Sequence, residues 1–327
     1  MSFSQQMDGR LCFAPRFDFS QVLGDRKLVS ASIGPAGEAV LLAVSAEYER
    51  EPFGKEERKE FAIFPLSKAK RHYPAVYIYM DDNGVSETEL GCVESAFPYV
   101  QPLPGGEILI VGARCHYCKG DPEQNAAVYS KTGELRRQFV LGDGINGVQT
   151  TADGSIWVSY FDEGIFGNFG WDKPLGASGL VSFDLKGRII WEFKPPQGID
   201  TIADCYAFNV CANTVWACYY TEFPLVCVDS HFQVSAWKNQ VYGANAIAVS
   251  ASHVLHWGGY KDKRTRSVLQ TFGGAILKNR REVQIEFSPG LDAGTVTFIG
   301  RGSVLHAFSN NKWFTLDISK MKFADAG

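Results

Sequence analysis

One phrase recurs six times along the chain: a short apolar strand, a tight turn and a second apolar strand. The turns centre on Gly37, Gly106, Gly154, Asn213, Ser252 and Gly302. The second strands read Ala39-Val-Leu-Leu-Ala43, Ile108-Leu-Ile-Val-Gly112, Ile156-Trp-Val-Ser-Tyr160, Val215-Trp-Ala-Cys-Tyr219, Val254-Leu-His-Trp-Gly258 and Val304-Leu-His-Ala-Phe308, and they align without a gap. Repeats at such spacing constrain architecture more than any local propensity does. Four of the turns end in glycine, which supplies the positive φ a tight hairpin needs. Asn213 stands in that place in the fourth unit, and asparagine is the next most tolerant residue there; Ser252 is a weaker match.

A third strand follows after a variable loop and turns into a fourth. Ala127-Val-Tyr-Ser leads into Glu134-Leu-Arg-Arg-Gln-Phe139, Leu180-Val-Ser-Phe into Arg188-Ile-Ile-Trp-Glu-Phe193, and Leu225-Val-Cys-Val into Gln233-Val-Ser-Ala-Trp237. The second strands are apolar on both faces, as strands covered on both sides are. Four antiparallel strands per unit, six units and almost no helical periodicity predict an all-β chain: a six-bladed β-propeller spanning 1–327 as a single domain. The sixth unit is short of one strand. Arg10-Leu-Cys-Phe-Ala14 belongs to no other unit, and we expect it to supply that outer strand and close the ring. A charged insertion is expected at about 47–74.

Composition narrows the partners. A formal net charge of −4 gives no electrostatic reason to expect nucleic acid or an anionic membrane. No apolar run approaches the ~18 residues of a membrane span. The polar stretch from Met1 to Arg10 lacks the apolar core of a signal peptide, which points to a cytoplasmic location. The eight cysteines agree, since Cys205, Cys211, Cys218 and Cys227 sit in or beside strand-like segments where a reduced thiol packs as a small apolar group.

With the blades counted, the chain resembles the superfamily of six-bladed propellers that includes the gluconolactonase-like hydrolases and their non-enzymatic relatives. The resemblance is one of repeat pattern over nearly the whole chain. Tryptophan–aspartate and kelch double-glycine signatures are absent. Blade-entry segments place polar residues toward a central channel mouth: Asp25, Glu94, Asn146, Asp204, Asn245 and Asp292. Gluconolactonase-like enzymes hold a divalent metal at this mouth, so the resemblance implies Glu94, Asn146, Asp204 and Asn245 as counterparts by type and order. Such oxygen ligands suit calcium or another hard cation. The other reading is that these residues solvate a wet channel, with no cofactor.

Loops between second and third strands are long in the first three units and short in the fourth and sixth. Long loops on a rigid scaffold are where binding concentrates. The most distinctive runs from Tyr160 to Trp171, with Phe161, Phe166, Phe169 and Trp171, the adjacent carboxylates Asp162 and Glu163, and three glycines. It reads either as a recognition surface or as a loop folded onto its own blade. Cys115-His-Tyr-Cys118 has no second pair to complete a zinc site. His256 and His306 occupy equivalent places in consecutive units and are expected to be buried between blades. Lys261 to Arg266 reads as a solvated basic loop. Hydrolase motifs are absent. The leading functional expectation is a binding propeller that grips a protein partner through its long loops, in a narrower version as an inhibitor or immunity-type protein. The alternative is a metal-dependent lactonase or esterase with Asp204 or Glu94 as base, or a small-ligand sensor at the same mouth.

Overall fold

The computed structural model describes residues 6–7, 10–58, 62–260, 265–286 and 296–321. Asp292 and Lys261 to Arg264 lie outside them. Contacts divide the chain into two compact units, Leu23–Lys194 on one hand and Met1–Val22 with Pro195–Gly327 on the other.

The unit Leu23–Lys194 holds three four-stranded antiparallel sheets. Sheet 1 runs Lys27–Ile33, Ala39–Val44, Lys68–Asp81 and Gly84–Ser95; sheet 2 runs Pro98–Pro102, Ile108–Gly112, Ala126–Tyr129 and Leu135–Phe139; sheet 3 runs Ile145–Thr150, Ile156–Tyr160, Leu180–Phe183 and Ile189–Glu192. Second strands are buried at every position in all three. Outer strands are far more exposed, as in Leu135–Phe139. The reason is packing: Val40, Leu42 and Val44 of sheet 1 share one cluster with Val100, Ile108, Ile110 and Ala127 of sheet 2. The 47–74 insertion is shorter than expected. Lys68, Lys70, Arg71 and His72 belong to the strand Lys68–Asp81, while the residues before them form short turns and the hairpin Lys55–Arg58 with Ala62–Pro65.

The second unit repeats the plan. Sheet 4 runs Asp204–Val210, Thr214–Tyr220, Leu225–Asp229 and Val234–Trp237; sheet 5 runs Ala246–Val249, His253–Trp257, Ser267–Phe272 and Leu277–Glu282; sheet 6 runs Thr297–Arg301, Val304–Ser309, Lys312–Asp317 and Ala14–Asp18, and a parallel pairing of Asn209 with Gly300 joins sheets 4 and 6. The N-terminal segment thus supplies the outer strand of sheet 6, in a register later than expected. Ala14–Asp18 pairs antiparallel with Lys312–Asp317, whereas Arg10–Cys12 pairs in parallel with Ile285–Glu286. Burial explains the shift. Leu11 and Phe13 enter the apolar cluster shared by sheets 5 and 6, and Arg10 pairs with Glu286. No helix among the described residues is long and apolar enough to cross a membrane, and all eight cysteines are free.

Two of the six turns depart from the glycine pattern. Gly37, Gly106, Gly154 and Gly302 all have positive φ, but Asn213 and Ser252 do not. The turns of sheets 4 and 5 are tighter: Cys211 N–H donates to Thr214 O and Ser250 N–H to His253 O, against Gly34 to Glu38 and Thr151 to Ser155 in sheets 1 and 3. The short loops of sheets 4 and 5 close without a left-handed residue, whereas the equally short turn from Arg301 to Val304 in sheet 6 keeps one at Gly302.

Each unit carries a buried amide that sequence pattern does not reveal. Gln101, fully buried on the first strand of sheet 2, donates to Ser32 Oγ and Ile33 O of sheet 1 and accepts from the N–H and hydroxyl of Thr150 in sheet 3 at 3.0 and 3.1 Å. Asn209 does the same work in the second unit. Its Nδ2 donates to Ile247 O and Gly302 O, and its Oδ1 accepts from Gly302 N–H at 2.7 Å. Innermost strands are thereby pinned by side chains whose every bond would be costly to lose in a dry interior.

Candidate functional site

The most built-up constellation joins residues 113–123 of sheet 2 to the 161–171 loop of sheet 3. Arg114 is its hub, 6% exposed. Its Nε and Nη2 bond to Asp143 Oδ1 and Oδ2 at 2.9 and 3.0 Å, and Nη2 also reaches Glu163. Asp143, 1% exposed, additionally accepts from Cys115 N–H at 2.8 Å. The guanidinium lies 4.1 Å from the Phe169 ring centroid and 5.4 Å from that of Phe161. A planar cation between a bidentate carboxylate and an aromatic face is a role lysine cannot fill.

The loop itself is clamped. Trp171 is buried and its Nε1–H donates to Cys115 O at 2.7 Å, while Tyr117 N–H donates to Phe169 O. Gly144 and Gly164 permit close backbone approach: a Cβ on Gly144 would come within 2.2 Å of Gly164 N. The short helix Asp162–Phe166 leaves Phe166 71% exposed, the most exposed large hydrophobic side chain of the described residues, and Asp162 also faces solvent. The loop therefore both folds onto its neighbour and displays one ring. Trp171 belongs to the first role, because burial removes it from any surface. Cys118 is exposed while Cys115 is buried, and burial raises the Cys115 thiol far above its ordinary value.

The channel-mouth candidates divide. Asn146, Asp204 and Asn245 stand at or just before the start of first strands, as expected. Glu94 does not. It lies on the outer strand Gly84–Ser95, accepts from Gln138 Nε2 at 2.8 Å and pairs with Lys68 Nζ at 3.2 Å. Its place in the sequence, just ahead of Pro98, disguised a position at the sheet's edge. No group of three or more His, Cys, Asp or Glu arranged to hold a metal occurs among the described residues.

Two further features escaped sequence reasoning. One is an aromatic cluster beside Asp204. Around the buried Phe223 stand Tyr206, Tyr220, Tyr242 and Tyr260, with ring centroids 5.2, 5.9, 5.6 and 5.7 Å from it. Tyr220, Tyr242 and Tyr260 are 48%, 50% and 43% exposed. Burial, a hydrogen bond with Tyr206 and the neighbouring charge of Asp204 all push the Tyr260 hydroxyl upward, so it stays neutral at physiological pH. Tyr206 and Tyr220 lie on strands of sheet 4, and Phe223, Tyr242 and Tyr260 on loops next to sheets 4 and 5, so no local motif announces them. The other feature is a cavity of about 600 Å³ in the first unit, among the first-to-second turns, lined by Pro35, Glu38, Tyr77, Tyr79, Pro104 and Glu107. Arg137 grips Glu107 with two 2.7 Å bonds and holds its carboxyl below the usual range.

The chain is built of four-stranded antiparallel meanders, the repeating element from which β-propeller blades are made. The YxzG family matches residues 178–263, a stretch that contains all five members of the aromatic cluster. A comparison with the curated proteins found no match. Among solved structures, the chain is similar to a catalytically inactive virginiamycin B lyase from Staphylococcus aureus in complex with quinupristin, at 12% identity and a TM-score of 0.47, covering 94% of this chain and 99% of that one. It is similar to BamB from Moraxella catarrhalis at 9% identity and TM-score 0.42, covering 97% and 88%, and to a gluconolactonase from Xanthomonas campestris at 9% and 0.41, covering 93% and 95%. Likenesses at these identities and TM-scores assign no function.

Proposed function

We propose that this chain is a binding protein that recognises a protein partner through the loops joining second to third strands. The observation that carries the reading is Phe166, exposed at the end of a helix whose base is fixed by the Arg114 ion pairs. A rigid, displayed aromatic binds at low entropic cost and is a common energetic centre of interfaces. Immobilised wild-type protein and a Phe166→Ala variant should retain different sets of proteins from the native cell extract. At least one species held by the wild type should be lost, with the unfolding midpoint unchanged within about 1 °C because the ring is exposed. Identical retention by both proteins would remove this loop from consideration. Trp171 is unsuitable for the same test, since its burial makes any substitution a stability change.

We also propose that the six sheets are six blades of one ring, with Ala14–Asp18 as its closing strand. The support is the pairing of that strand with Lys312–Asp317. Removing residues 1–18 exposes the outer edge of sheet 6 and uncovers the cluster that holds Leu11 and Phe13. A loss of about 10 °C or more in the unfolding midpoint is expected; an unaltered melt would sink the idea.

A further inference from the structure

We infer that the aromatic cluster around Phe223 is a binding site for an alkylated ammonium group, carried either by a small molecule or by a methylated lysine side chain. The inference stands apart from the reading of Phe166, which lies in the other unit. Its first ground is the arrangement of the rings. Four tyrosines surround one buried phenylalanine, all with planes inclined to it by 63° to 80°, and Tyr206 and Tyr260 also meet each other at 5.8 Å and 81°. Aromatic rings gathered to fill a core are covered. Here three of the five leave close to half their surface in water while their inner edges are anchored. That arrangement keeps a set of π faces and rims available with little freedom left to lose on binding.

The second ground is charge. Asp204 acts electrostatically on Tyr260. Asp200 accepts from Thr221 Oγ1 at 3.2 Å, beside Tyr220, and Glu222 is exposed next to Phe223. Neutral phenol rings bordered by carboxylates attract a cation twice, through the ring quadrupole and through Coulomb's law, and repel an anion. Among the described residues the chain's own cation–ring contacts fall elsewhere, at Tyr48, Phe161, Phe169 and Trp313. The third ground concerns which cation. A bare ammonium is strongly hydrated and needs three acceptors in place of water; rings do not supply them. An alkylated ammonium presents polarised methyl groups, is weakly hydrated and is matched by aromatic walls.

Support at the base is also specific. Gly243 has φ +73°, and a Cβ there would meet the Tyr260 ring at 3.2 Å, so the backbone is pressed against the cage wall. Tyr219 Oη donates to Asp200 O at 2.9 Å, tying the segment before the cage to the strand that leads into it.

The test is a calorimetric titration with choline, with its neutral isostere 3,3-dimethylbutan-1-ol, and with a short peptide bearing trimethyllysine or unmodified lysine. Choline or the trimethyllysine peptide should bind saturably, at least about tenfold more tightly than the isostere or the unmodified peptide. Tyr220→Ala and Tyr242→Ala should each weaken binding by about tenfold, while Tyr242→Phe keeps it. Both alanine variants alter half-exposed side chains and are expected to fold, which near-ultraviolet circular dichroism checks; Tyr242→Phe covers the case in which one does not. Preference for the peptide assigns the cation to a protein partner, and preference for choline assigns it to a small molecule; both support the site. No saturable binding of either probe, equal binding of the neutral isostere, or indifference to the folded alanine variants would overturn it.

Discussion

Replacing Arg114 by methionine is expected to lower the unfolding midpoint by roughly 10 °C. The change removes a guanidinium but leaves its partners in place. Asp143 has no solvent access at its side chain, and only the Cys115 N–H would still donate to it. A buried carboxylate stripped of its cation costs about 3–5 kcal/mol, far more than the pair contributes net when intact. Glu163 is different: its side chain is 39% exposed and can turn to water. Arg114→Lys should recover little, because an ammonium cannot bond both Asp143 oxygens from one plane while lying on Phe169. Arg114→Met combined with Asp143→Leu should regain a large part of the loss, since no charge is then left in the interior. A double variant no more stable than Arg114→Met alone would show that the aromatic stacking, and not the ion pair, carries the cluster. Because Glu163 begins the helix that displays Phe166, the single variant should also be cut faster by protease within the 161–171 loop.

This cluster shows where sequence reasoning stops. Six strand–turn–strand phrases were legible because the period-2 and both-faces-apolar signals are local, and all six inner hairpins are present. The register of the N-terminal strand was not, because two neighbouring segments were both strand-like and the choice depended on where Leu11 and Phe13 could be buried. Asn213 and Ser252 stand where other units carry a left-handed glycine, yet neither is left-handed, and no local signal announces the difference. Arg114 and Asp143 carry no signal at all: 29 residues separate them, and only the docking of one loop on another makes them a pair. The same holds for Tyr206, Tyr220, Tyr242 and Tyr260, two on strands and two on loops, which are unremarkable aromatics until the fold brings them around Phe223. His256 and His306 fared better. Equivalent places in consecutive repeats implied equivalent burial, and both are buried.

Those two histidines are expected to make folding stability fall with acid from about pH 6.5, before carboxylates add their own loss. Burial alone pushes His256 down to about 3, and neither ring nitrogen has a hydrogen-bond partner among the described residues. Burial, then the charges of Arg301 and Arg16, push His306 down to about 3 as well, and Trp313 Nε1–H donates to its Nδ1 at 3.1 Å, which fixes the neutral ring with its proton on Nε2. An unfolded histidine titrates near 6.5. Between that value and about 3 the unfolded chain binds more protons than the folded one, so folding stability rises with pH across the interval. It is fully present above about 6.5 and is lost as pH falls. Each histidine contributes a slope approaching about 1.4 kcal/mol per pH unit, and the pair about twice that. Carboxylates held low by their partners, such as Asp317 and Glu107, add their own loss from about pH 5 downward. Chemical denaturation at pH 7, 6.5, 6 and 5.5 should therefore show a decline that begins above the pH range in which Asp317 and Glu107 contribute. His256→Leu isolates the cause. It removes two buried polar atoms that have no hydrogen-bond partner among the described residues, so it should leave stability at pH 7 unchanged or raised and should halve the slope between about pH 6.5 and 5.5. His306→Leu should halve the slope too but destabilise at pH 7, because it orphans the Trp313 indole. A wild-type profile that is flat from about pH 6.5 to 5.5, or an unaltered slope in His256→Leu, would mean that these rings are protonated in the folded state and that their surroundings are wetter than their burial implies.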